Sequence, residues 1–242
     1  MNYDSVPLRD FKELNDWETV IFVYQSALKQ VETKIDILNG EFQHRHKYNP
    51  IEHVKSRIKT PESIVKKLKR HGYESSIENM VRYVNDIAGI RISCSFTSDI
   101  YLIADMISKQ NDLTILARRD YMKNPKKSGY RSYHMLVTTP VFLSDSIIDT
   151  KVEIQIRTVA QDFWATLEHK MHYKFEGDGP DYITKELREC ARYVAELDTR
   201  MEELNNEIQK YGKLSDKNKN PRKTRSAPAV VYRAIIMKKI YV

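Results

Sequence analysis

The sequence predicts a mixed α/β fold: a central sheet of about five strands flanked by helices, with helical extensions at both ends. Three observations carry this. Apolar residues recur at steps of three and four over residues 16–39 and 181–211, the period of an amphipathic helix. Between those stretches the period falls to two in several short segments, as in strands with one face buried. Helical segments lie before, between and after the strands, which favours one layered domain.

In order, Trp17, Ile21, Tyr24, Leu28, Val31, Ile35 and Leu38 mark the first helix; Asn15 or Asp16 can cap it, and Gly40 stands where a stop belongs. Residues 1–15 read as a flexible N-terminus, and Asn49-Pro50 is a break. Thr60 is a good N-cap, Pro61 fits the first helical position, and Gly72 ends that helix. Ser76 opens a short helix to about Tyr83. From Ala88, Ile90, Ile92, Cys94 and Phe96 share one parity and Arg91, Ser93 and Ser95 the other, so a strand is predicted. Ser98 is expected to cap a helix to about Gln110. Strands follow at Leu113–Tyr121 and Tyr130–Thr138, joined by the loop Lys123–Gly129. Lys151–Thr158 alternates again, and helices fill Val159–Phe175 and about Asp181–Tyr211. The domain therefore spans 16–212. Periodicity then vanishes in a Lys/Asn/Pro-rich stretch, and 213–242 reads as a basic, disordered tail.

The 242 residues, 41% hydrophobic and 30% charged, suffice for one sizeable core. The net charge of +7 is unevenly spread. Residues 213–242 hold nine basic residues and one acid, so the tail alone carries +8 and the first 212 residues −1. The high pI thus belongs to the tail and gives the body no claim to broad RNA binding, although the tail could touch RNA or membrane. No apolar run is long enough to span a bilayer, and no signal peptide is evident. Cys94 and Cys190 are too few for a disulfide framework; reduced thiols in the cytoplasm are expected, with Cys94 on a buried face.

Parity points to chemistry. Arg91, Glu153, Gln155 and Arg157 fall on the polar parity of their strands, and His134 opposes Tyr133, Met135 and Val137 in the same sense. If these strands are neighbours, one face of the sheet displays them together; the bland alternative is a solvated face lined by ordinary salt bridges. Asp86 and Glu153 offer hard oxygen ligands from two segments, as Mg²⁺ beside phosphates requires, or else a turn aspartate and a salt-bridged glutamate. Arg57, Lys59, Ser63 and Lys67 cluster about a helix N-terminus, where dipole and free N–H groups favour phosphate; a solvated basic helix is the alternative. Lys126 and Tyr130 sit in a basic loop entering an aromatic strand, suited to a base and its phosphates, or to plain packing. His169 and His172 have no third ligand in view, so zinc is set aside.

Five motifs in order then become recognisable: Arg57-x-Lys59, Asp86-Ile87-Ala88-Gly89-Ile90-Arg91, Gly129-Tyr130-Arg131-Ser132-Tyr133-His134, Val152-Glu153-Ile154-Gln155-Ile156-Arg157-Thr158 and Phe163-Trp164-Ala165-x-x-Glu168-His169. Over roughly residues 17–212 the chain resembles the (p)ppGpp synthetase domain of the RelA/SpoT family, in the manner of the small alarmone synthetases and nearer the RelP-like branch than the RelQ-like one. The resemblance implies a nucleotidyltransferase-like synthetase domain that uses Mg²⁺ to move pyrophosphate from ATP to the 3′-hydroxyl of GDP or GTP, releasing AMP. It also implies a homotetramer formed through residues 16–39 and 181–211.

By that resemblance Arg57 and Arg91 stack on the two faces of the adenine, while Lys59, Ser63 and Lys67 hold the ATP phosphates. Asp86 and Glu153 bind Mg²⁺, and Glu153 takes the proton of the acceptor hydroxyl. Tyr130 stacks on guanine; Lys126, Arg119 and His134 meet the acceptor phosphates; Gln155 and Glu168 support that side. Asp162 stands where many relatives have Asn near the guanine edge. His53 stands where RelQ-like enzymes have a Phe lining an allosteric pppGpp cleft, so product activation is not carried over. Two rivals remain: a catalytically silent nucleotide- or RNA-binding module, and a nucleotidyltransferase moving AMP.

Overall fold

The computed structural model describes residues 16–46, 48–174 and 181–219, so the readings of 1–15 and of the tail beyond Lys219 lie outside the described residues. The side chain of His172 lies outside them too. The chain divides into two units, Met1–Glu202 and Glu203–Val242. The first holds the sheet and every residue singled out for chemistry; the second holds the C-terminal part of the last helix. The elements are α1 (Trp17–His46), β1 (Ile51–Ile58), α2 (Pro61–Arg70), α3 (Ile77–Tyr83), β2 (Ala88–Cys94), α4 (Thr97–Ser108), β3 (Thr114–Asp120), β4 (Tyr133–Phe142), β5 (Ile147–Thr158), α5 (Val159–Lys174) and α6 (Asp181–Lys219).

The five strands form one sheet in the order β1-β2-β5-β4-β3, with β2 and β5 parallel and every other pair antiparallel. The apolar parity of β2, β4 and β5 (Ile90, Ile92, Met135, Val137, Ile154 and Ile156) is buried under α1 and α4. Val20, Val23, Tyr24 and Ala27 of α1 and Ile100, Ile103 and Ile107 of α4 supply the facing side chains. Each such burial contributes about 1.5–3 kcal/mol, so the register of the central strands is strongly fixed.

Most expected elements are present, with some differences; β4 begins at Tyr133 rather than Tyr130 and runs to Phe142, and β5 begins at Ile147 rather than Lys151. β1 has no counterpart among the strands that the sequence predicts. A bulge between Ile51 and His53 breaks its alternation, and as an edge strand it buries only Ile51 fully. Helix α1 continues through Gly40 to His46, because its core-facing residues fix it and an exposed glycine costs only about 1 kcal/mol. Helix α4 is capped at Phe96 rather than Ser98: the Asp99 carboxylate accepts from the Phe96 N–H at 3.0 Å and from the Tyr48 hydroxyl at 2.7 Å. Helix α6 runs to Lys219 rather than to about Tyr211.

Candidate active site

The register turns the polar parity into a grid. One row runs Arg57, Gly89, Glu153, Leu136, Ala117 across β1, β2, β5, β4 and β3. The next row runs Lys55, Arg91, Gln155, His134, Arg119, and beyond it His53, Ser93 and Arg157 align. Since directly paired residues share a face, the clustering expected from parity alone is realised.

Gly89 is a gap in the first row. With no side chain there, a cavity of about 210 Å³ opens between Arg57 and Glu153, lined also by Asp86, Arg91 and Gln155. Asp86 reaches it from the short connection between α3 and β2. That connection is tied on one side by the Lys59 N–H, which donates to the Ile87 carbonyl at 2.8 Å. On the other side buried Lys151 of β5 donates to Asn85 Oδ1 at 2.7 Å and to the Arg82 carbonyl at 3.3 Å. The Asp86 carboxylate itself receives Lys59 at 3.0 Å and Lys67 at 2.7 Å. Burial raises its pKa, but the two ammonium groups outweigh burial and hold it below its ordinary value. Lys67 faces Asp86 because α2 begins cleanly: Thr60 accepts from the Ser63 N–H at 3.3 Å, with Pro61 next.

A second, smaller cavity of about 50 Å³ lies on the other side of Glu153, lined by Asn85, Arg119 and His134 as well. Glu153 is therefore a wall common to both cavities. Its Oε2 accepts from Gln155 at 2.8 Å, and His134 Nδ1 lies 3.7 Å from Oε1. Burial raises the Glu153 pKa and nearby Asp86 adds to this, yet His134 and Gln155 prevail and keep it below the ordinary value. Both carboxylates are thus ionised at neutral pH. Tyr130 closes this end: its hydroxyl lies 2.9 Å from His134 Nε2, and its ring is flanked by Lys126 at 4.7 Å and the Arg157 guanidinium at 5.8 Å. Burial raises the Tyr130 pKa, so the phenol keeps its proton.

Helix α5 follows β5 without a loop. Thr158 and Gln161 form a capping box: the Gln161 N–H donates to Thr158 Oγ1 at 3.1 Å, and the Thr158 N–H to Gln161 Oε1 at 3.2 Å. Asp198 of α6 accepts from both side chains at 2.8 Å. This start places Asp162 in the first turn, where it turns to cations: Arg157 Nε at 3.4 Å, Arg91 Nη1 at 3.5 Å and Lys55 at 3.8 Å.

The structure thus gathers Arg57, Asp86, Arg91, Glu153 and Gln155 at one cavity and Arg119, His134 and Glu153 at the other, with Lys59 and Lys67 on Asp86 and Lys126 on Tyr130. Ser63, exposed at the head of α2, and Glu168, half-buried on α5, line neither cavity. Two participants, Lys151 and Lys55, are not singled out by the sequence, and Arg157 is singled out by parity but given no role. Lys151 and Arg157 share the parity of Glu153, which was the available signal; Lys55 lay in the unread strand β1. Among the described residues no three His, Cys, Asp or Glu side chains form a metal-binding group. Two carboxylates beside an open cavity suit Mg²⁺, which keeps several positions for water and phosphate oxygens. No helix among the described residues is long and apolar enough to cross a membrane.

Comparison with known proteins agrees with this arrangement. Residues 56–178 match the family model described as the region found in RelA / SpoT proteins. The GTP pyrophosphokinase YwaC of Bacillus subtilis (strain 168) is 45% identical over 195 residues, covering 81% of this chain and 93% of the relative. The crystal structure of small alarmone synthetase 2 from B. subtilis superposes with a TM-score of 0.72 at 44% identity, covering 79% of this chain and 99% of that one. The structure of small alarmone synthetase 1 from B. subtilis bound to its product pppGpp gives a TM-score of 0.74 at 34% identity, covering 80% and 98%.

Proposed function

The chain belongs to the RelA/SpoT family, and from that premise we propose that it is a GTP pyrophosphokinase, a small alarmone synthetase that moves pyrophosphate from ATP to the 3′-hydroxyl of GDP or GTP and releases AMP. The observation that carries this is the position of Glu153, on the wall between two cavities. A carboxylate ionised at neutral pH and reachable from both sides can take a proton from an acceptor on one side while the donor lies on the other.

On the donor side Arg57 and Arg91 hold the adenine between planar guanidinium groups, a role an ammonium cannot fill. Lys59, Lys67 and Ser63 meet the ATP phosphates, and Asp86, which pairs with both lysines in this structure, would be one ligand of Mg²⁺. Asp86 and Glu153 would hold Mg²⁺, which would supply charge neutralisation at the transferred group. On the acceptor side Tyr130 stacks on guanine, Arg119, Lys126 and His134 meet the phosphates, and Gln155 and Glu168 support the site. The 3′-oxygen gives its proton to Glu153 and attacks the β-phosphorus. The bond from that phosphorus to the α-phosphate oxygen breaks, and AMP leaves with the electron pair. No covalent intermediate on the protein is needed; positioning and charge account for the chemistry.

Two further readings belong here. Along α6 the exposed residues Tyr193, Leu197, Met201, Leu204, Ile208 and Tyr211 follow spacings of four and three. That is the seam of helix-on-helix association, which supports a homotetramer. The free thiols Cys94 and Cys190 accord with the cytoplasm.

The deciding experiment supplies ATP labelled separately at the α- and γ-phosphates, with Mg²⁺ and GDP or GTP. The expected result is γ-label on the guanosine product and α-label in free AMP. An acceptor carrying the α-label would make the chain a nucleotidyltransferase instead, and nucleotide binding without any product would make it a silent module.

A further inference from the structure

Asp162 was expected at the guanine edge, yet its carboxylate faces cations. One oxygen, Oδ1, lies between Arg91 Nη1 at 3.5 Å and Arg157 Nε at 3.4 Å. The two arginines have different duties. Arg91 lines the larger cavity with Arg57. Arg157, only 2% exposed, lies against the ring of Tyr130 at the far end of the acceptor side. Its Nη2 donates to Gln155 Oε1 at 3.2 Å, and Gln155 donates to Glu153. The contacts at Oδ1 are ionic without being hydrogen bonds: Arg91 Nε, Arg157 Nε and Asp162 Oδ1 are all buried and none has a hydrogen-bond partner among the described residues. Buried polar atoms left in this condition are costly and tend to re-pair when a neighbour moves. The carboxylate cannot drift, because the Thr158–Gln161 capping box fixes the turn that carries it.

We propose that Asp162 is a positioning residue that couples the two nucleotide sites, through one carboxylate oxygen shared by Arg91 and Arg157. Resting on the synthetase reading above, the device works as follows. When Arg91 moves onto the donor base, its hold on Oδ1 weakens. Arg157 then closes on the fixed carboxylate, steadying Tyr130 and setting Gln155 against Glu153. Donor binding thereby tightens acceptor binding, and linkage requires the converse by the same factor.

The test is calorimetric titration of GDP into the full chain with Mg²⁺, with and without saturating α,β-methylene-ATP, which cannot transfer. The wild type is expected to bind GDP at least about fivefold more tightly with the analogue present, the lower end of ordinary coupling. In Asp162→Asn, isosteric but uncharged, that ratio is expected to fall to near one. Arg157→Lys, which keeps the charge but not the planar contact with Tyr130, is expected to lose the ratio while retaining affinity for the analogue; it serves if the first variant does not fold. A ratio of one in the wild type, or an unchanged ratio in both variants, overturns the proposal and leaves the synthetase reading intact. So does an Asp162→Asn effect on GDP that is equal with and without the analogue, the result a guanine-edge contact would give. A wild type that binds neither nucleotide overturns both.

Discussion

The hydroxyl of Tyr130 lies 2.9 Å from Nε2 of His134. Nδ1 of the same imidazole lies 3.7 Å from Oε1 of Glu153. The side chain proposed to stack the acceptor base is thus also hydrogen-bonded to the histidine beside the proposed base.

Two substitutions at Tyr130 separate those duties. Tyr130→Ala removes the platform, and stacking of a base on an aromatic ring is worth about 1–3 kcal/mol, so the acceptor KM is expected to rise roughly 5- to 150-fold. Tyr130→Phe keeps the ring and loses only the hydrogen bond; its effect is expected on kcat, with acceptor KM nearly unchanged. Steady-state kinetics with GDP varied at fixed ATP distinguishes the two, and equal KM changes in both variants would refute the division.

Glu153→Gln preserves shape and removes the base. A positioned general base contributes about 10²–10⁴-fold, so kcat is expected to fall by that order, with ATP affinity, measured by direct titration, largely retained. Turnover at the wild-type rate would remove Glu153 from the chemistry.

Gly129 has φ +91°, and a Cβ there would lie 2.5 Å from the Cβ of Ala191 on α6. Gly129→Ala therefore combines left-handed strain of about 1–2 kcal/mol with overpacking of about 1–3 kcal/mol. A lower urea midpoint is expected. Adding Ala191→Gly relieves the overlap but not the strain, so recovery should be partial. A wild-type midpoint for Gly129→Ala would mean that the loop moves freely.

Asp198 carries a pH signature. Burial raises its pKa, and although Thr158, Gln161 and Arg131 lower it, the folded carboxyl stays above its ordinary value. The stability this contributes is present below the ordinary carboxylate range and is lost as pH rises through the folded pKa. Asp198→Asn keeps an acceptor for Thr158 and Gln161 while removing the charge, so the variant should lose less stability than the wild type between acid and neutral pH. Thermal unfolding at several pH values reads this; parallel curves for the two proteins would contradict it.

Much of the site was legible because it lies on strands. The odd-numbered positions of β5 announce themselves by alternation, and the register of β2 and β4 brings Arg91 and His134 beside them. What escaped depends on geometry that alternation does not encode. The bulge after Ile51 shifts parity in β1 and hid Lys55, although Arg57 was found from its motif. Lys151 shares the parity of Glu153, but its role rests on reaching Asn85 and Arg82 in a distant segment. The orientation of Asp162 follows from the capping box at Thr158, which sets the direction of α5 as it leaves the sheet. Neither Asn nor Asp at that position would reveal in sequence which arginines it meets.

Strand β5 alternates a greasy set, Val152, Ile154 and Ile156, with a reactive set, Lys151, Glu153, Gln155 and Arg157. A one-residue slide would send the second set into the interior and the first toward water. The protein consequently has no way to mispair this strand and stay folded with its working face hidden. Any lineage that discards catalysis while remaining intact must do so by replacing individual side chains, one visible exchange at a time.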